Sequence, residues 1–167
     1  MDLVIAKLIM RLAKMRNCNM AVLTEKQIKY GFDYYHKDDA RPKSVVEVSE
    51  YDGEDKLIIN CTQLDESYSA KDKKRIWMEW CDFLVNNPDT FTELMFCTRM
   101  SQDLFDAVCS QRRLKRLHIK WGVYTDISKL ENLQELEYLH IGSGRSVSSL
   151  EPISRLVNLV ALSIENF

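Results

Sequence analysis

Apolar positions recur at a fixed interval through the second half of the chain. Phe91, Leu94 and Phe96 return as Leu114, Leu117 and Ile119, then as Leu136, Leu139 and Ile141, then as Leu159, Leu162 and Ile164. From Leu94 through Leu117 and Leu139 to Leu162 the steps are 23, 22 and 23 residues. The stretches between them repeat as well: Ile127, Leu130 and Leu133 reappear 23 residues later as Leu150, Ile153 and Leu156. Aligned apolar positions in four copies mark a repeated structural unit. Leu57 and Ile59, 37 residues ahead of Leu94 and Phe96, start an earlier and longer copy. Apolar residues two apart share one face of a strand. One copy cannot bury that face alone, whereas stacked copies make a continuous core. The pattern therefore predicts parallel neighbouring strands, in sequence order, at 93–97, 115–120, 137–142 and 160–165.

The first half reads differently. Met1 to Arg16 is apolar at Leu3, Val4, Ile5, Leu8, Ile9, Leu12 and Met15, with Lys7, Arg11 and Lys14 at helical spacing on the other side. This is a basic amphipathic helix, read here as a cap over the open end of the stack. Its basic residues lie inside and after the apolar stretch, unlike those of a signal peptide. Thr24 and Gln27 form a capping box for a second helix to about His36, which carries Ile28, Phe32 and Tyr35 on one face. Asp52-Gly53 between Val46/Val48 and Leu57/Ile59 predicts a β-hairpin near 45–61. Ser69 caps a helix over about 70–85, with Ile76, Trp77, Trp80, Phe83 and Leu84 inward, ended by Asn86-Asn87-Pro88. Ser101 starts a helix to Ser110, and single turns are expected at 127–133 and 150–156.

The L-x-x-L-x-L pattern with its period in the low twenties resembles the leucine-rich repeat family, over about residues 91–167. The resemblance implies an α/β fold: a short solenoid with a curved parallel sheet, helical segments or turns returning on the convex side, and a helical N-terminal cap. It gives two regions, a cap at 1–43 and a hairpin plus solenoid at 44–167. Family members place Asn or Cys three residues after the last strand leucine. Arg99, Gly122, Gly144 and Phe167 stand there instead, so irregular turns are expected.

With 23 basic and 25 acidic residues the formal net charge is -2, which argues against a dedicated nucleic-acid binder. Five cysteines without C-x-x-C spacing read as free thiols of a reducing, cytoplasmic compartment. Gly142-Ser-Gly144-Arg-Ser follows a strand, but neither a third glycine nor a Gly-Lys-Ser/Thr follows, so no nucleotide site is assigned. His118 and His140 hold equivalent places on adjacent strands. Without a third ligand they are read as solvent-facing rings and not as a metal site. Arg112, Arg113, Lys115 and Arg116 form a basic cluster that reads as a solvated turn or part of a binding rim. No catalytic motif and no cofactor signature is present.

The expected activity is therefore non-catalytic recognition of another protein, with a small inhibitor or toxin-neutralising immunity protein as one form. A membrane-surface adaptor anchored by the N-terminal helix, or a subunit of a larger assembly, is the alternative. The expected binding face is the side of the strands opposite the leucines: Glu93, Met95 and Cys97; Arg116, His118 and Lys120, flanked by Trp121; Tyr138 and His140; and Ala161, Ser163 and Glu165. A second contact is expected where the last strand, Leu159–Ile164, offers its open edge to a partner or a second copy.

Overall fold

The computed structural model describes residues 41–142 and 145–165. The two N-terminal amphipathic segments, Cys18, Gly144 and Phe167 lie outside the described residues, as does nearly all of the expected cap at 1–43.

The chain forms one six-stranded parallel sheet with strands in sequence order: β1 (Lys43–Val45), β2 (Lys56–Ile59), β3 (Glu93–Phe96), β4 (Arg116–Ile119), β5 (Tyr138–Gly142) and β6 (Ala161–Glu165). Helix α1 (Ala70–Asn86) joins β2 to β3 and helix α2 (Gln102–Val108) joins β3 to β4. Single 3-10 turns at Ser128–Asn132 and Glu151–Arg155 serve the later connections. The sequence interval fixes the register: Leu57, Leu94, Leu117, Leu139 and Leu162 stand side by side across five strands. The long step from Leu57 to Leu94 holds α1, whose first turn is capped by Ser69 accepting from the Asp72 amide. Ser101 caps α2 in the same way through the Leu104 amide. The Leu57–Leu94 copy is thus part of the sheet.

The expected hairpin at 45–61 is not formed. β1 and β2 pair in parallel, with Val45 opposite Ile59. After Val45 the chain leaves the sheet in a 3-10 turn at Val48–Glu50, and the Glu50 carboxylate accepts from the Val46 amide at 2.8 Å. Trp80 Nε1 donates to the Val46 carbonyl at 2.8 Å, drawing this connection onto α1. Asp52-Gly53 does turn the chain, and Gly53 has φ +105°. That turn lies within a crossover, because the ten residues between Val45 and Lys56 let the strand return in the same direction.

The core lies on one side of the sheet. Leu94, Leu117, Leu139, Ile119 and Ile141 are fully buried there with Ile76, Trp80 and Leu84 of α1 and Phe105 of α2. Tyr51, Trp80, Phe83 and Phe91 meet edge-on, with centroids 5.2–5.7 Å apart. Leu130 and Ile153 of the 3-10 turns continue the same cluster. At β6, Leu162 and Ile164 are only half-buried, and among the described residues β6 is an edge strand paired with β5 alone.

Gln111 is the core's polar tie. It is fully buried, and its Oε1 accepts from the amides of Thr90 and Phe91 at 2.9 and 3.2 Å. Its Nε2 donates to the carbonyls of Leu84 and Asn87 at 2.6 and 2.9 Å. The end of α1 and the lead into β3 are thereby held by one amide side chain from the following connection.

A candidate partner-binding face

The sheet's other side carries two rows of side chains, because successive residues of a strand point to opposite faces. Lys56, Glu93, Arg116, Tyr138 and Ala161 are aligned in one row. Ser44, Ile58, Met95, His118, His140 and Ser163 form the next. Glu93, Met95, Arg116, His118, Tyr138, His140 and Ser163 thus come together on one surface, as the strand pattern predicts. Lys120 and Glu165 are exposed at the far ends of their strands, while Cys97 and Trp121 are half-buried. The Arg99 guanidinium lies 6.0 Å from the Trp121 ring centroid.

The first row is an electrostatic ladder. An Arg116 Nη lies 3.6 Å from a Glu93 carboxylate oxygen, and the two side chains are only 10% and 5% exposed. A carboxylate and a guanidinium so withdrawn from water are tolerated because each offsets the other's desolvation. The Arg116 guanidinium also sits 5.9 Å from the Tyr138 ring centroid, within cation–π range.

In the second row the imidazoles of His118 and His140 stack, with centroids 4.1 Å apart and planes inclined by 8°. This corrects the expectation of solvent-facing rings: His140 is buried and His118 half-buried. Burial draws the His118 pKa down to about 3, assisted by His140 and Lys120. Burial lowers His140 too, against the opposing pull of Glu165. Both rings are accordingly neutral near pH 7, and neutral rings can stack where two imidazolium ions would repel. His140 Nδ1 lies 3.0 Å from Ser163 Oγ. Among the described residues no three His, Cys, Asp or Glu side chains are grouped to hold a metal ion.

Two of the four basic residues in the cluster at the start of β4 face carboxylates. Arg112 grips the Asp89 carboxylate through Nε and Nη2 at 3.2 and 2.6 Å, and Arg116 faces Glu93. At the N-terminal ends of the strands, a cleft of about 360 Å³ is lined by Arg41, Pro42, Lys43, Glu54, Asp55, Lys56, Glu93 and Arg116. Burial raises the Cys61 and Cys81 thiols to about 12 and pushes Cys109 higher still. Thiols so shifted stay protonated and are poor nucleophiles. No helix among the described residues is long and apolar enough to cross a membrane.

Ile58 is the member of the face that strand-pattern reasoning passes over. Its signal is the unbroken run Leu57-Ile58-Ile59, since a strand covered on both faces reads as continuous rather than alternating apolar sequence. Gln111 carries no comparable signal, because its four partners come together only in the folded chain.

Comparison with known proteins finds no match: no protein-family model fits the chain, and no curated protein or solved structure is significantly similar to it.

Proposed function

We propose that this chain is a non-catalytic protein-recognition module, a short solenoid of irregular leucine-rich repeats whose non-core sheet face, with its exposed rim, receives a partner protein. The observation that carries the reading is the alignment of Arg116 with Tyr138 and of His118 with His140 on adjacent strands. Arginine and aromatic side chains gathered on one rigid surface are the types that most often dominate protein interfaces. A small inhibitor, such as an immunity protein that neutralises a toxin, is one partner relation that this surface suits. The protonated, largely buried thiols fit a reducing compartment.

The test begins with the tagged chain expressed in its own cells at native level, its co-purifying protein identified by mass spectrometry. Calorimetric titration with that protein then compares Lys120→Glu, Trp121→Ala and Glu165→Lys with the parent. At least one is expected to weaken binding by more than about 1 kcal/mol, whereas Val85→Lys on the outer side of α1, where Val85 is 56% exposed, leaves binding unchanged. Parent-like affinity in all three rim variants removes this face as the site.

A further inference from the structure

β6 carries side chains of a different kind from the two strands before it. Five residues ahead of the aligned leucine stand Arg112 and Gln134 in the preceding copies, but Val157 ahead of Leu162, and Val157 is 57% exposed. Two residues ahead stand Lys115 and Glu137, but then Val160. On the non-core side the rows shrink: Arg116 and Tyr138 give way to Ala161, and His118 and His140 to Ser163. Among the described residues β6 is paired with β5 alone. The Ala161 amide donates to the Glu137 carbonyl at 3.0 Å. Alternate residues of a strand bond to the same neighbour, so Ala161, Ser163 and Glu165 direct their backbone groups to β5. The amides and carbonyls of Leu162 and Ile164 face the other way. Val160–Glu165 holds neither proline nor lysine, the residues that commonly guard edge strands.

We propose that β6 pairs antiparallel with β6 of a second copy of this chain, about a two-fold axis beside Ser163. The strand itself sets the register. With Ser163 opposite Ser163, the whole of Ala161–Glu165 is paired with itself. Leu162 of one copy then stands opposite Ile164 of the other, and Ala161 opposite Glu165, so no like charges are opposed. Leu162 and Ile164 are the residues whose backbone groups face outward, and each such pair exchanges both its N–H···O bonds. A two-fold axis normal to the sheet keeps both cores on one side, so these two apolar side chains meet on the core side of each copy. The small side chains of Ala161 and Ser163 leave room on the other side for the approaching strand. Val157, in the connection that leads into β6, adds exposed apolar surface to the same copy. This match of the strand with its own reverse favours a second copy over an unrelated chain, for which no such symmetry is needed. A seam one strand wide is a small interface, so a weak, concentration-dependent dimer is expected. The pairing does not rest on the recognition reading, and it leaves the two non-core faces on one side of the joined sheet.

Sedimentation equilibrium of the full chain is the first test. The parent is expected to pass from monomer to dimer as its concentration rises. Ser163→Lys sets two ammonium groups against each other across the axis and is expected to weaken that association about fivefold, with parent-like circular dichroism. The second test places cysteines. The Cα atoms of a directly opposed pair that shares no hydrogen bond lie about 4.5 Å apart, within the span of a disulfide. Two copies of residue 161, or of residue 165, would stand about 14 Å apart. Mild oxidation is therefore expected to join Ser163→Cys to itself at position 163, as tryptic mapping of the product reads, and to leave Ala161→Cys and Glu165→Cys unjoined at those positions. A parent that stays monomeric up to about 1 mM overturns the proposal, as does a dimer whose thiols at position 163 do not join. Equal joining at 161, 163 and 165, the mark of random collision, overturns it too, and so does parent-like association of folded Ser163→Lys. None of these outcomes involves the rim variants Lys120→Glu and Trp121→Ala, so the dimer and the recognition reading fail separately.

Discussion

Leu139→Ala probes the repeat at its centre. Leu139 is fully buried and stands between Leu117 and Leu162 in the aligned row. The substitution removes three carbon groups, worth about 2.4 kcal/mol at about 0.8 kcal/mol each. Neighbours on both sides belong to paired strands and cannot collapse inward, so a void remains. A residual cavity of about 50 Å³ adds about 1.2 kcal/mol at roughly 24 cal/mol per Å³. The expected cost is about 3.5 kcal/mol. With a urea slope of about 2 kcal/mol per molar, the unfolding midpoint falls by about 1.8 M. Leu162→Ala is the internal control. Leu162 occupies the same row but is half-buried on β6, so its loss should cost about half as much. A Leu139→Ala shift below about 0.5 M, equivalent to about 1 kcal/mol, refutes the reasoning. So does an equal cost at the two positions, because burial would then not set the energy.

Two further outcomes follow from buried polar groups. Gln111→Leu keeps the volume but strands the amides of Thr90 and Phe91 and the carbonyls of Leu84 and Asn87; a loss of about 2–4 kcal/mol is expected in urea melts, and a loss under about 1 kcal/mol would show that these groups find other partners. His118, held near 3 in the fold against about 6.5 unfolded, is neutral in the native state while the unfolded chain takes up a proton, so its neutral burial is without cost above pH 6.5 and stability is lost as the pH falls from there towards 3. Since the ring retains some solvent contact, the parent should lose only about 1–2 kcal/mol more than His118→Asn between pH 6.5 and 4.5; parallel stability profiles for the two proteins would remove His118 as the cause.

The parallel sheet from β3 to β6 was legible because repetition is a local signal. Each copy's apolar pair marks a strand, and the constant interval brings Leu94, Leu117, Leu139 and Leu162 into register without knowledge of distant contacts. The helix at Ala70–Asn86 was legible for similar reasons: Ser69 at its start, an apolar stripe at helical spacing and Asn-Asn-Pro at its end are all local. The β1–β2 pairing was not. Asp-Gly favours a turn whichever way the chain leaves it, and the parallel return goes with a ten-residue crossover packed on α1, where Trp80, 34 residues away, bonds the Val46 carbonyl.

The candidate face divides along the same line. Strand alternation by itself chose which side Glu93, Arg116, Tyr138 and His140 occupy, since the period of two fixes the face of every residue once Leu117 and Ile119 are inward. Its environment was decided only in three dimensions. Sequence offers no measure of how deeply Arg116 and Glu93 are withdrawn from water, and that depth turns a surface ion pair into a buried one. Nor does it show that two histidines 22 residues apart stack at 4.1 Å, which depends on the register and on the exclusion of water above the sheet. Periodicity is a property of neighbouring residues and survives in the sequence; burial is a sum over the whole fold, and only the assembled chain sets it.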